Sequence, residues 1–178
     1  MLKIPSKVSD SNFIRMPDQD KVVESDDEWN RCGKWMLLNN SGSMAWIDET
    51  WIRLQVLLEK GCLIMIKAST AAMPRDSNNP GIIMCFTRPG EEEIEQAAKE
   101  IRKIIHYEPY MLYKLNSRTE NRIDLRHGYI YKYMHTFKGF FYRTSELGWI
   151  LVNINVISFY ASLTLQIFLM KFNRFPTI

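Results

Sequence analysis

At 178 residues, 46% hydrophobic and 24% charged, the chain can bury one sizeable core unaided, which excludes a collagen-like, disulfide-framework or low-complexity protein. The net charge is only +3 but it is unevenly spread: residues 1–30 carry four basic against seven acidic side chains, and residues 114–143 carry seven basic against two acidic. An acidic leader followed by a basic stretch points to a polyanion or an acidic surface as partner.

With Pro5, Pro17 and little periodicity, residues 1–30 are expected to be a disordered leader. Order is expected from about residue 31, and a single α/β domain is predicted over 31–145. Residues 34–38 read as a strand ended by the turn-forming Asn39 to Gly42. Over 44–60, Ile47, Trp51, Leu54 and Leu58 recur at helical spacing, and Gly61 supplies the stop. Residues 62–68 and 82–87 read as buried strands, separated by a loop rich in Pro, Asn and Asp. Over 91–107, Ile94, Ala97, Ala98, Ile101, Ile104 and Ile105 predict an amphipathic helix that Pro109 forbids from continuing. Residues 110–115 and 128–133 alternate as strands do, and 116–127 read as a basic loop. Two helices cannot cover both faces of so small a sheet. The predicted class is therefore α/β of the α+β kind: a mainly antiparallel sheet with both helices on one face and the other face left to bind something.

Residues 147–170 contain no charged side chain and are long enough to span a hydrocarbon core as a helix. Apolar residues also alternate there, as in Val152-Asn153-Ile154-Asn155-Val156, which is strand text. The tail, 146–178, is therefore expected either to contact a membrane or to add strands. Cys32, Cys62 and Cys85 are odd in number and far apart, without metal-ligand spacing. They read as reduced thiols of a cytoplasmic or nuclear protein, anchored to a membrane if the tail inserts; no metal or cofactor is implied. No apolar stretch near residue 1 is long enough for a signal peptide.

Several short motifs lie in an order that resembles a eukaryotic family known through the basophilic leukaemia expressed protein. They are Gly33-Lys34-Trp35 opening a strand, Trp51 on the first helix, and Ile66-Lys67-Ala68-Ser69-Thr70-Ala71 leading into a loop with Pro74. Ile83 to Thr87, Glu93 to Ile105, Tyr113-Lys114 and Gly128-Tyr129-Ile130-Tyr131 follow in turn. The resemblance spans roughly residues 33–133. It implies a fold like that of the mRNA cap-binding translation initiation factor 4E; members are also labelled, by distant similarity, phosphothreonine lyase domains. Cap binding itself is not carried over. That chemistry needs two exposed tryptophans facing one another, and Trp35 and Trp51 fall in predicted core, leaving Trp29 and Trp46 beside acidic residues.

Two constellations point to a phosphate-bearing ligand, either RNA or a phosphorylated peptide. In the first, Lys67, Ser69, Thr70 and Arg75 place cations and hydroxyls where a strand opens into a loop, an arrangement suited to an anion. The bland alternative is hydroxyls that only brace a turn. In the second, Tyr113, Tyr129 and Tyr131 interleave with Lys114 and Lys132, so that aromatic rings could stack bases while cations hold phosphates. The bland alternative is aromatic core with a solvated rim. The leading expectation is a non-enzymatic binding module. The alternatives are a phosphothreonine-lyase-like enzyme, with Lys67 as base and His127 as acid, and a membrane-tethered scaffold.

Overall fold

The computed structural model describes residues 3–18, 22–39, 41–74, 81–117, 131–145 and 148–152. Among the described residues, eight strands form one sheet: β1 (Phe13–Met16), β2 (Gly33–Leu38), β3 (Met65–Ser69), β4 (Ile82–Thr87), β5 (Tyr110–Leu115), β6 (Tyr133–Thr136), β7 (Phe141–Ser145) and β8 (Gly148–Leu151). Their spatial order is β1-β3-β4-β2-β5-β6-β7-β8, and every neighbouring pair is antiparallel. Among the described residues, three α-helices accompany the sheet: α1 (Asp26–Arg31), α2 (Met44–Glu59) and α3 (Glu91–Ile104). This is the α+β class expected, built on an antiparallel sheet.

The helices form where local chemistry favours them. Ser43 caps α2 by accepting from the Ala45 amide, and Gly61 beyond its end adopts φ +72°, a conformation few other residues take without strain. Ile47, Trp51, Leu54 and Leu57 are its buried stripe. In α3 the stripe is Ile94, Ala97, Ala98 and Ile101, with Glu91 to Glu93 at the positive end of the helix dipole and Arg102 and Lys103 at the negative end. The helix stops at Ile104 because Ile105 is already extended.

Strand residues alternate between faces. One face, under α2 and α3, carries Ile14, Ile66, Ala68, Ile83, Cys85, Trp35, Leu37, Met111, Tyr113, Tyr133 and Phe141, all in the buried core. Trp35 sits at its centre. Its indole donates to the Ile94 carbonyl of α3 at 3.0 Å, and Tyr113 meets it edge-on at 5.1 Å between ring centroids. The Tyr113 ring lies where a side chain at position 33 would stand, 2.7 Å from the place of its Cβ, so β2 opens on glycine.

Three expectations need correction. The acidic leader was expected to lack order, yet β1 pairs with β3 along Phe13 to Met16, and Asp26 to Arg31 form α1 capped by Ser25. Backbone pairing with a distant strand leaves no periodic trace in four residues. A closing strand was expected over 128–133. The strand begins at Tyr133, and residues 118–130 lie outside the described part. The boundary expected at 145 moves outward: β8 extends the sheet into the uncharged run, as the added-strand reading of the tail had it for residues 148–151. Residues 153–178 lie outside the described part. No helix among the described residues is long and apolar enough to cross a membrane.

His135 is the buried polar centre of this fold. Arg102 of α3 donates through Nε to His135 Nδ1 at 2.9 Å and through Nη2 to the His135 carbonyl at 2.7 Å. Nδ1 is therefore an acceptor, so the neutral ring carries its proton on Nε2. Burial and the adjacent Arg102 push the His135 pKa down to about 4. The unfolded ring titrates near 6.5, so its neutral form contributes full stability above that pH, and the contribution is lost as pH falls towards 4. The loss is about 2 kcal/mol once solvent screening is allowed for. Urea unfolding at neutral and mildly acid pH should show this loss in the native chain and a smaller one in His135→Gln. Equal losses in both would remove His135 as the cause.

Candidate nucleic-acid interface

The sheet face turned away from α2 and α3, the distal face, has a different composition. Reading across it by strand register, Arg15 of β1 stands opposite Lys67 of β3, followed by Met84, Met36, Leu112, Met134, Tyr142 and Leu151. Those six residues are half-buried rather than buried. In the adjacent row Met65 and Phe86 lead to Lys34 of β2 and Lys114 of β5, again directly opposite each other. The strands thus place two pairs of cations in direct cross-strand opposition, Arg15 with Lys67 and Lys34 with Lys114. No described strand residue on this face is a carboxylate. Like charges directly opposite one another on a sheet are unfavourable. At inter-strand spacings of about 4.8 Å the two pairs lie roughly 10–15 Å apart.

Aromatic rings accompany the cations. Lys67 Nζ lies 4.6 Å from the Phe13 ring centroid, and Lys34 Nζ lies 5.4 Å from that of Phe86. Lys34 also donates to Asn116 Oδ1 at 3.0 Å. Burial lowers the pKa of Lys67, with Arg15 adding to the effect, and burial lowers that of Lys114. Both shifts mark ammonium groups that would gain from an incoming anion.

Helix α1 lies at the Lys34 end of the distal face. Trp29 stacks on Phe86 with ring centroids 5.5 Å apart and planes 15° from parallel. Asn116 Nδ2 donates to the Trp29 carbonyl at 3.1 Å, and Glu28 pairs with Arg88 at 3.3 Å. A cleft of about 330 Å³ runs beside this contact, lined among others by Val22, Trp29, Met65, Phe86, Arg15 and Lys67. A larger cleft of about 800 Å³ is lined by residues 7–15 with Lys3, Asp18 and Lys67, so Arg15 and Lys67 border both clefts.

The residues singled out from sequence divide accordingly. Lys67 and Lys114 share the distal face. Tyr131 stands just ahead of β6, half-buried; burial raises its phenol pKa, and Tyr110 of the distal face adds to the rise. Lys132 lies at the entry to β6, where its amide donates to the Tyr113 carbonyl and its Nζ approaches the Tyr133 ring at 5.3 Å. Three are engaged within the fold. Tyr113 points into the core and shares a hydrogen bond with Thr87 at 2.8 Å. Ser69 is buried and accepts from the Ile82 amide, while Thr70 donates to the Ser11 carbonyl and accepts from the Ala72 amide. The two hydroxyls brace a turn, the bland alternative. Arg75, His127 and Tyr129 lie outside the described residues. For the lyase alternative, the two described histidines are engaged elsewhere: His135 with Arg102, and His106 with Glu108 at 3.5 Å and Phe137 edge-on.

Sequence reasoning missed Arg15, Lys34, Met36, Met84 and Phe86. Lys34 was hidden in an apolar run, although its alternation with Trp35 already put it on the opposite face from the core. No family model matches the chain, and no curated protein matches it.

Proposed function

We propose that the chain is a non-enzymatic binding module that holds a phosphate-bearing polymer, RNA, along its distal sheet face. The observation that carries this reading is the pair of cross-strand cation oppositions, Arg15–Lys67 and Lys34–Lys114, on a face whose described strand residues include no carboxylate. Cations set in cross-strand opposition concentrate positive potential on this face, and a polyanion laid across it would meet both pairs. Half-buried Met36 and Met84 between the cation pairs, with Leu112 and Tyr142 further along the face, supply apolar surface for bases. Cap recognition is not part of the proposal, since Trp35 and Trp51 are fully buried.

The test is titration of a single-stranded RNA oligonucleotide over a range of salt concentrations. Affinity should fall linearly in the logarithm of salt. A Lys67→Ala, Lys114→Ala double variant should keep its fold and bind at least about tenfold more weakly. Its salt slope should be shallower by about 1.4, at about 0.7 for each phosphate that is no longer neutralised. An unchanged slope would take these lysines out of the site. Binding of a phosphothreonine peptide in place of RNA would keep the cationic face and replace the ligand class.

A further inference from the structure

The segment 22–31 occupies the same ground that the proposed ligand needs. Trp29 lies flat on Phe86, the one aromatic ring that a distal-face lysine also approaches at the Lys34 end. Lys34 is only 6% exposed, and its ammonium is tied through Asn116 to the Trp29 carbonyl. Half of the Lys34–Lys114 opposition is therefore shut away beneath α1. Of the acidic first turn of that helix, Asp27 pairs with Arg31 and Glu28 with Arg88, while Asp26 brings a carboxylate to the distal-face cleft that Arg15 and Lys67 line, a face whose described strand residues have none. A flat ring stacked on an aromatic, with the Asp26 carboxylate in a cleft that Arg15 and Lys67 also line, is the chemistry by which a nucleotide would engage this place.

We infer that residues 22–31 are an autoinhibitory strap, an acidic and aromatic stand-in that competes with RNA for the Phe86 and Lys34 end of the distal face. This rests on the reading of that face as an RNA site. The strap is built to be displaced. Helix α1 is six residues long and has no buried residue. It meets the rest of the fold through contacts that include the Trp29–Phe86 stack, the Asn116 hydrogen bonds to the Trp29 and Cys32 carbonyls and the Glu28–Arg88 pair. Short helices are marginal without tertiary support. If the strap is closed nine times in ten, the apparent dissociation constant for RNA is raised about tenfold.

The experiment compares RNA titrations of the full chain with those of Trp29→Ala and of Asp26→Asn, Asp27→Asn, Glu28→Gln. A charge control, Glu59→Gln, Glu92→Gln, removes two exposed carboxylates from α2 and α3. Circular dichroism melts confirm that each variant is folded. Both strap variants should bind RNA up to about tenfold more tightly than the native chain, and the control should change little. Hydrogen exchange at the Trp29 and Cys32 amides, which donate within α1 to Ser25 and Glu28, should speed up when RNA binds. Equal affinity in native chain and strap variants, with binding intact, overturns the strap and leaves the RNA reading standing. Weaker binding by Trp29→Ala also overturns it, making α1 part of the site. Absence of RNA binding in every form overturns both. A tightening matched by the charge control reduces the effect to net charge and overturns the strap.

Discussion

Replacing Ile101 with Asp should unfold the protein at room temperature. Ile101 is 0% exposed, the last residue of the buried stripe that α3 lays on the sheet. A carboxylate there would be buried without a partner, at a cost of several kcal/mol, set against a total stability of about 5–15 kcal/mol for a domain. Glu92 lies on the opposite side of the same helix and is exposed. Glu92→Gln should leave stability within about 0.5 kcal/mol of the native chain. Thermal melts followed by circular dichroism separate the two; equal midpoints would mean that the buried face of α3 is wrongly assigned.

Trp35→Ala should be the next most damaging change, destabilising by about 3–5 kcal/mol through the cavity it leaves. The indole touches Tyr113, His135 and Phe141 and ties β2 to the Ile94 carbonyl, so its loss loosens sheet and helix together. Trp46→Ala is the internal comparison: that ring is half-buried and only tilts against Tyr107 at 6.2 Å. Its removal should cost about 1 kcal/mol. Comparable urea midpoints for the two variants would contradict the central position given to Trp35.

The elements most legible in the sequence are those whose periodicity is local. The isoleucines and alanines of α3 repeat every three or four residues, and that stripe alone gives the helix, its buried face and its ends to within a few residues. The strands 82–87 and 110–115 are bounded by turn residues and emerge as read. What was not legible is partner choice. Phe13 to Met16 carry no alternation long enough to register, and only their pairing with β3 makes them a strand. The site shows the same division. Lys67 and Lys114 were singled out for separate reasons, but nothing local says that β4 and β2 lie between their strands and set both on one face. Tyr113 was grouped with Lys114 for its chemistry, although adjacent strand residues must face opposite ways. The buried ring and the half-buried lysine follow from that alternation.

The sheet order has a consequence for how the chain reaches this state. The strand at the middle of the sheet, β2, is synthesised well before both of its neighbours: Trp35 pairs with Cys85 on one side and Tyr113 on the other. The centre of the molecule is thus closed by contacts between segments far apart in the chain. Loop-closure entropy must be met before those pairings are rewarded, which places the protein among the slower folders of its size. Until β5 has emerged, Trp35, which the native sheet keeps wholly from water, has no complete place to hide. The nascent chain is most vulnerable to misassembly over that interval.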